Sequence, residues 1–253
     1  NILNKNSFYI ITPRVISFII KKVIIFNTKE KLFFIQNVRN YFDINTVFQI
    51  FGYEEYKLNS VDVWKKKIDI YYKKYKSNSL IIDCGSNIGS SSEYFSLIYP
   101  QSNIISIEPN KENFLLAKKN IKSKKIIMIK NAVASSNLTY QIKNKQDPRA
   151  HQILINKNKS KSRTVTISQL LKKYKQFKPF MIKIDIEGFE SNLFKKNIEW
   201  MDKFKIIIIE IHDWMIPSKS ISNNLVNSLA KISKKNKRDL IIQGENLISI
   251  KIK

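Results

Sequence analysis

Short apolar runs alternate with amphipathic segments from residue 80 to residue 211. Runs that are apolar on both faces are typical of strands buried between two helix layers. The runs are Leu80–Cys84, Ile104–Ile107, Ile126–Ile129, Phe180–Ile184 and Ile206–Ile211. The segments between them have helical periodicity: Ile88–Ile98, Lys111–Ile121, Val165–Tyr174 and Glu190–Trp200. This strand–helix alternation predicts a doubly wound, mostly parallel α/β sheet.

The C-terminal segment predicts how that sheet ends. A helical pattern over Ile221–Ser233 is followed by two short strands, Leu240–Ile242 and Leu247–Ile252. The intervening Gly244-Glu245-Asn246 is suited to a tight hairpin turn. We therefore predict an antiparallel C-terminal strand, in a main domain that spans residues 77–253.

Residues 1–76 have a different pattern, with short apolar runs and no long alternation. Ser60 is a candidate N-cap for a helix that ends near Lys76. We predict an N-terminal helical or mixed extension that covers the substrate, packs on the sheet or contacts a second copy, so a homo-oligomer stays open.

A peripheral membrane contact is an alternative for part of this extension. Val15, Ile19, Ile20 and Val23 share one face of a hypothetical helix, with lysines nearby. Packing on the sheet or on a partner copy is the favoured interpretation. No run of about 18 uncharged apolar residues is present, so no transmembrane segment is expected.

The net charge of +25 changes the picture less than its size suggests. Of the 45 basic residues only five are Arg, whereas readout of bases and bidentate gripping of phosphates favour Arg. The lysines are scattered, so no specific nucleic acid is expected as a partner. The single cysteine, Cys84, excludes a disulfide framework and favours a reducing, cytoplasmic location.

The first candidate site follows the first buried strand of the main domain. Asp83 precedes a loop with Gly85 and Gly89, and a helix follows. Glycines allow a backbone to approach a ligand closely. A dinucleotide fingerprint would have three glycines. An acid with two glycines instead suits a ligand that has a cationic amino-acid end.

The second candidate site is the acid at the tip of the next strand. Glu108 lies 23 residues beyond Gly85 and precedes Pro109 and Asn110. A carboxylate at this point can accept hydrogen bonds from both hydroxyls of a ribose. We therefore predict that Glu108 binds a ribose.

Further acids follow the last two parallel strands. Asp185, Glu187 and Glu190 lie within six positions, and Glu210 and His212 end the next strand. Ligands of such sheets bind beyond the carboxyl ends of the strands. We predict Asp185, Glu187 and His212 as catalytic residues, because histidine is the natural general base near neutral pH. His151 lies in a polar loop, from which it could reach the substrate. An ordinary surface position explains this histidine equally well.

Four segments in this order resemble the FkbM family of S-adenosylmethionine (SAM)-dependent methyltransferases: IIDCGSNIGSSS, SIEPNKENFLLAKKNI, MIKIDIEGFE and IEIHDWM. The resemblance runs from about Leu80 to Trp214. It implies a seven-stranded, Rossmann-like methyltransferase sheet and methyl transfer to an oxygen, often a sugar hydroxyl of a polysaccharide, glycolipid or secondary metabolite. By position it implies that Asp83, Gly85, Asn87 and Gly89 line the methionine end of SAM, that Glu108 holds the ribose, and that Asn131 and Ala132 lie near adenine. Asp185 follows the end of its strand, and we predict that it contacts the cofactor at the reacting methyl group.

The expected chemistry is an in-line displacement, in which a base removes the proton of a sugar or small-molecule hydroxyl. We predict that His212 takes this proton and that Asp185 or Glu187 orients the hydroxyl or the imidazole. A competing mechanism has a Mg²⁺ bound by Asp185, Glu187, Glu210 or Asp213. The mechanism without a metal is favoured. The other open functions are an RNA methyltransferase and a non-catalytic cofactor-binding module.

Overall fold

The computed structural model describes residues 6–58, 62–143, 152–155, 162–215 and 218–252. The candidate N-cap Ser60 and the loop residue His151 lie outside these ranges. None of the helices in the described ranges is long and apolar enough to cross a membrane.

The N-terminal extension folds as a three-stranded antiparallel sheet with helices around it. The strand order is β1–β2–β3. A π-helical turn, Phe48–Gly52, continues the second helix. The elements are β1 (Phe8–Ile10), α1 (Arg14–Ile20), β2 (Lys22–Asn27), β3 (Leu32–Asn37), α2 (Tyr41–Val47) and α3 (Asp62–Tyr75).

The remainder of the chain forms the predicted α/β architecture. A two-stranded ribbon, β7–β8, stands apart from the main sheet. The elements are β4 (Ser79–Cys84), α4 (Ser90–Ile98), β5 (Asn103–Ile107), α5 (Lys111–Asn120), β6 (Ile126–Ile129), β7 (Tyr140–Lys143), β8 (Gln152–Ile155), α6 (Ile167–Lys173), β9 (Lys178–Ile184), α7 (Glu190–Leu193), β10 (Ile206–Glu210), α8 (Asn223–Lys235), β11 (Arg238–Gln243) and β12 (Asn246–Lys251).

The main sheet has seven strands in the order β11–β12–β10–β9–β4–β5–β6. Neighbours from β10 to β6 are parallel, and β12 is antiparallel to both β10 and β11. The expected doubly wound sheet with an antiparallel C-terminal strand is therefore confirmed. The Gly244–Glu245 turn forms the predicted hairpin, because β11 ends at Gln243 and β12 begins at Asn246.

Two predicted elements differ from the structure. The helix predicted over Glu190–Trp200 ends at Leu193, and a separate 3₁₀ turn covers Glu199–Lys203. Asn197 interrupts the segment because its φ of 57° is left-handed. Val23 does not continue a helix from Val15 either, since it is fully buried in β2.

One hydrophobic core joins the extension to the main sheet. Phe8 and Phe51 belong to the same buried cluster as Ile81 and Phe180. The predicted boundary between residues 76 and 77 falls between α3 and β4. The extension is therefore held on the sheet by shared apolar burial, and this positions it beside the carboxyl ends of the strands.

Candidate functional site

The carboxyl ends of four parallel strands meet at one edge of the main sheet. β4 ends at Cys84, β5 at Ile107, β9 at Ile184 and β10 at Glu210. A cleft in two adjoining halves opens along this edge. The two halves share Gly85, Asn87, Asp185 and Glu187. A single elongated ligand could therefore occupy both.

The two halves differ in their lining. The "histidine half" is polar and adds Thr46, Gln49, Ile50, Glu55, Tyr56, Ser86, Ser91, Lys183, Glu210, His212, Trp214 and Glu245. The "Glu108 half" is more apolar and adds Ile107, Glu108, Pro109, Asn113, Asn131, Ala132, Val133, Ile153 and Ile186.

The glycine loop approaches the end of β9 very closely. Gly85 has a φ of 81°, and a Cβ at this position would lie 1.7 Å from the carbonyl oxygen of Asp185. The requirement for glycine thus comes from packing between β4 and β9, a long-range contact that the sequence pattern does not reveal. The same loop turns Ser86 Oγ and Asn87 Oδ1 into buried positions where neither has a hydrogen-bond partner among the described residues.

Gly89 and Asp83 line neither half of the cleft. A Cβ on Gly89 would lie 3.0 Å from the Cβ of Ala117, so this glycine permits α4 to pack on α5. Asp83 is fully buried, and its Oδ2 accepts hydrogen bonds from the hydroxyls of Ser91 and Ser92, both at 2.6 Å. Both residues hold the loop and α4 in place beneath the cleft.

We expect the Gly85→Ala substitution to lower the free energy of unfolding by about 3 kcal/mol or more, because it combines a left-handed φ with a backbone clash. Gly244→Ala is the matched control: its φ is 59°, but nothing lies within 4 Å of the added Cβ. That control should cost only about 1 kcal/mol. Urea denaturation of both variants measures the difference, and equal costs would refute the close-approach explanation.

Glu108 is buried at the base of its half of the cleft. Its Oε2 accepts a hydrogen bond from the backbone N–H of Asn87 at 2.8 Å, and its Oε1 accepts one from the backbone N–H of Asn110, also at 2.8 Å. Burial raises the pKa of Glu108 to about 7, although these two hydrogen bonds oppose the shift. Each oxygen keeps a lone pair, so both can accept a further hydrogen bond. Asn131 and Ala132 line the same half, as the family resemblance implies.

Lys183 forms a buried cationic centre that the sequence analysis did not assign. Its Nζ donates to the carbonyl oxygen of Gly85 at 2.8 Å and to Oδ2 of Asp185 at 3.0 Å, and lies 3.5 Å from Oδ1 of Asp83. Burial alone would lower the pKa of Lys183, but the negative charges of Asp185 and Asp83 raise it well above its ordinary value. The only sequence signal was one lysine inside an apolar strand, where an unpaired charge is costly.

His212 is surrounded by carboxylates. Its Nδ1 lies 3.0 Å from Oε1 of Glu190, and its Nε2 lies 3.4 Å from Glu210, 3.6 Å from Asp185 and 3.9 Å from Glu187. The structure thus brings together the three residues predicted to be catalytic and adds two acids. Glu190 lies in the first turn of α7, and its pairing with His212 is a tertiary contact.

The charges in this cluster shift each other's pKa values. Burial alone would lower the pKa of His212, but hydrogen bonding to Glu190 and Glu210 raises it to about 11. Burial and the neighbouring Asp185 raise the pKa of Glu187 to about 9 and that of Glu210 to about 7. In the free protein the surrounding carboxylates therefore favour the protonated, positively charged form of His212.

One oxygen each from Asp185 and Glu187 and one ring nitrogen of His212 lie within 4.8 Å of one another, a donor set that could hold a cation. Asp213, a further acid considered for such a site, instead accepts hydrogen bonds from the backbone N–H and the hydroxyl of Ser222.

The extension supplies cleft residues that the sequence analysis missed. Thr46, Gln49, Glu55 and Tyr56 line the histidine half. Trp214, 65% exposed, faces the same half from beyond β10. No local pattern could have found the first four, since they lie far from the strand ends in sequence.

Residues 83–232 match the family described as the Methyltransferase FkbM domain, which is more than half of the chain. The chain belongs to this family. It is a SAM-dependent methyltransferase, and the FkbM match begins at Asp83 and ends within α8. No curated protein matches the chain.

Several solved structures share part of the architecture at low identity. A putative rRNA-methylase from Clostridium thermocellum is 10% identical, with 75% of this chain and 95% of that chain covered and a TM-score of 0.44. A putative caffeoyl-CoA O-methyltransferase from Staphylococcus aureus is 14% identical, with 83% and 100% covered and a TM-score of 0.42. A precorrin-6y C5,15-methyltransferase from Geobacter metallireducens is 11% identical, with 77% and 88% covered and a TM-score of 0.40.

Proposed function

We propose that this FkbM methyltransferase transfers a methyl group from SAM to a hydroxyl oxygen of a sugar-containing or small-molecule acceptor. The observation that carries the proposal is the two-part cleft, in which a half that contains the buried Glu108 adjoins a polar half built around His212. SAM supplies an electrophilic methyl group on a sulfonium. The protein's task is then to align an oxygen with that methyl group and to accept a proton.

The lining of the cleft fits the cofactor. Glu108 would accept hydrogen bonds from the two ribose hydroxyls, and Ala132 and Val133, which line the same half, would give adenine apolar contact. The unpartnered Ser86 Oγ and Asn87 Oδ1 are available to the amino-acid end. The carboxylates of the histidine half outnumber its cations, which favours a ligand with sulfonium and ammonium charges.

The acceptor side favours a neutral polyol over a polyanion. Thr46 and Gln49 offer neutral hydrogen-bonding groups, and Trp214 offers an aromatic face of the kind that stacks on sugar rings. Glu55 and Glu245 add negative charge at the same place. A phosphate backbone would be repelled here, so the acceptor pocket argues against the RNA alternative in spite of the net charge.

Two neighbouring residues, His212 and Glu210, are the candidates for the group that accepts the proton. The sequence expectation that His212 takes the proton stays a prediction, and the imidazole must first lose the proton that its carboxylates stabilise. Glu210 lines the same half with a pKa of about 7, which suits a general base at neutral pH. In that arrangement the imidazolium of His212 orients the carboxylates.

We expect turnover to survive EDTA unchanged, because Lys183 and protonated His212 already neutralise part of the carboxylate charge that a metal would neutralise. Methyl transfer measured with EDTA, and again after Mg²⁺ is added back, checks this. Loss with EDTA and recovery with Mg²⁺ would instead assign Asp185, Glu187 and His212 to a metal.

The function itself is tested by offering methyl-labelled SAM with oligosaccharides, glycolipids, small polyols and RNA as separate acceptors. We expect the label to appear in a hydroxyl-bearing acceptor, as a methyl ether that resists mild alkali. The Glu108→Gln variant controls for dependence on the cleft. Label in RNA, or an alkali-labile methyl ester, would contradict the proposal.

A further inference from the structure

The outer face of the N-terminal sheet is apolar and uncovered. Strand pairing places Tyr9 beside Phe26 and Phe26 beside Phe33, and it places Ile24 beside Ile35. The opposite face points into the core, so alternation sends this second apolar set outward. Tyr9 is 49% exposed and Phe33 is 64% exposed. An antiparallel sheet ordinarily presents polar side chains on such a face.

Helix α1, between β1 and β2, adds a second group of exposed apolar side chains. Ser17 is its only buried residue. Five of its seven residues are large, apolar and exposed, with Val15 and Ile19 at 72% and 70%. Ten of the twenty exposed large hydrophobic residues in the described ranges lie between residues 9 and 35. They are therefore concentrated in this short segment, and such patches mark interaction sites.

Basic side chains accompany this surface, which we call the N-terminal apolar face (Tyr9, Ile11, the exposed residues of α1, Phe33 and Ile35). Between residues 9 and 35 there are five basic residues and one acid, Glu30. Lys21 lies over the ring of Phe18, with its Nζ 3.9 Å from the ring centroid. Lysines of this kind can rest their stems on apolar surface while the charged end reaches anionic groups.

We infer that the N-terminal apolar face docks on the surface of an anionic lipid bilayer. Exposed apolar side chains combined with lysines are the chemistry of interfacial membrane binding, where burial and attraction to anionic headgroups act together. A second copy of the chain fits less well, since it would bring two equally basic surfaces and two net charges of +25 together.

The test is co-sedimentation of the full chain with phosphatidylcholine vesicles, with and without phosphatidylglycerol. We expect binding to the anionic vesicles and little to the neutral ones. Lys22→Glu with Lys29→Glu should weaken binding by about 25-fold or more, at about fivefold for each lysine. Ile19→Gln with Phe33→Gln should weaken it by at least about tenfold through lost apolar burial.

Ile242→Gln is the matched control, because Ile242 is 77% exposed on β11 at the far edge of the main sheet. It should bind like the wild type. Absence of binding to anionic vesicles would overturn the proposal. Equal binding by all variants would also overturn it, by showing adsorption of a generally basic protein.

Analytical ultracentrifugation without lipid completes the test. A dimer that the Ile19→Gln and Phe33→Gln pair abolishes would assign the face to a second copy and would overturn membrane docking. None of these measurements uses methyl transfer, so their outcome is independent of the proposed function.

Discussion

The Glu108→Gln variant is expected to bind SAM about 100-fold more weakly than the wild type, because two hydrogen bonds to a charged acceptor are weakened together. Calorimetric titration with SAM and with its demethylated product measures the change. Glu112→Gln is the matched control, since Glu112 is an exposed acid in the first turn of α5. It should leave the affinity unchanged.

The pH dependence of SAM binding gives a second readout for Glu108. Its pKa of about 7 means that the carboxylate becomes protonated as the pH falls through neutrality. A protonated carboxyl accepts hydrogen bonds less well, so wild-type affinity should fall below pH 7. Glu108→Gln should lose this dependence. If folded Glu108→Gln binds SAM with the same affinity as the wild type, Glu108 does not contact the cofactor.

The second large effect is expected at His212. His212→Gln should lower kcat by about 100-fold or more, in the range of general acid–base effects, while SAM affinity stays nearly constant. Gln can keep a hydrogen bond to Glu190, which limits damage to the fold. Glu112→Gln, at an exposed acid of α5 that lines neither half of the cleft, is the control for a nonspecific charge change. Unchanged turnover in His212→Gln would end the assignment of a catalytic role to this residue.

Glu210→Gln separates the two candidate proton acceptors. A base works in its deprotonated form, so the rate rises with pH through the pKa of the base. If Glu210 accepts the proton, the rate rises near pH 7 and this limb disappears in Glu210→Gln. If His212 accepts it, the rate continues to rise toward pH 11 and Glu210→Gln keeps a rising limb. Thermal unfolding of each variant confirms that it is folded.

The extension illustrates the limit of sequence reasoning. A helical face through Val15, Ile19, Ile20 and Val23 was one interpretation, but the helix ends at Ile20 and Val23 enters a strand. Lys21 causes this break, because its left-handed φ of 55° ends the helix. Apolar periodicity over two turns cannot distinguish a short helix followed by a strand from a longer helix.

The sequence by itself determined the seven strands of the main sheet, the hairpin and the edge where the site lies, but not the strands of the N-terminal sheet or of the β7–β8 ribbon. Buried strands such as Leu80–Cys84 are recognised in the sequence by their continuous apolar residues. Parallel strands bring their carboxyl ends to one edge of the sheet. The positions of Glu108, Asp185 and His212 follow from this local information, since each lies within two residues of the end of a strand.

Only the tertiary structure decided what each of these side chains touches. The pairing of His212 with Glu190, the burial of Lys183 beside Asp83 and the contribution of Glu55 to the cleft join residues that are distant in sequence. Burial and charge pairing set the pKa values, and both depend on which elements pack together. The uncovered face of the N-terminal sheet has the same origin, because strand register determines which apolar residues remain outside the core.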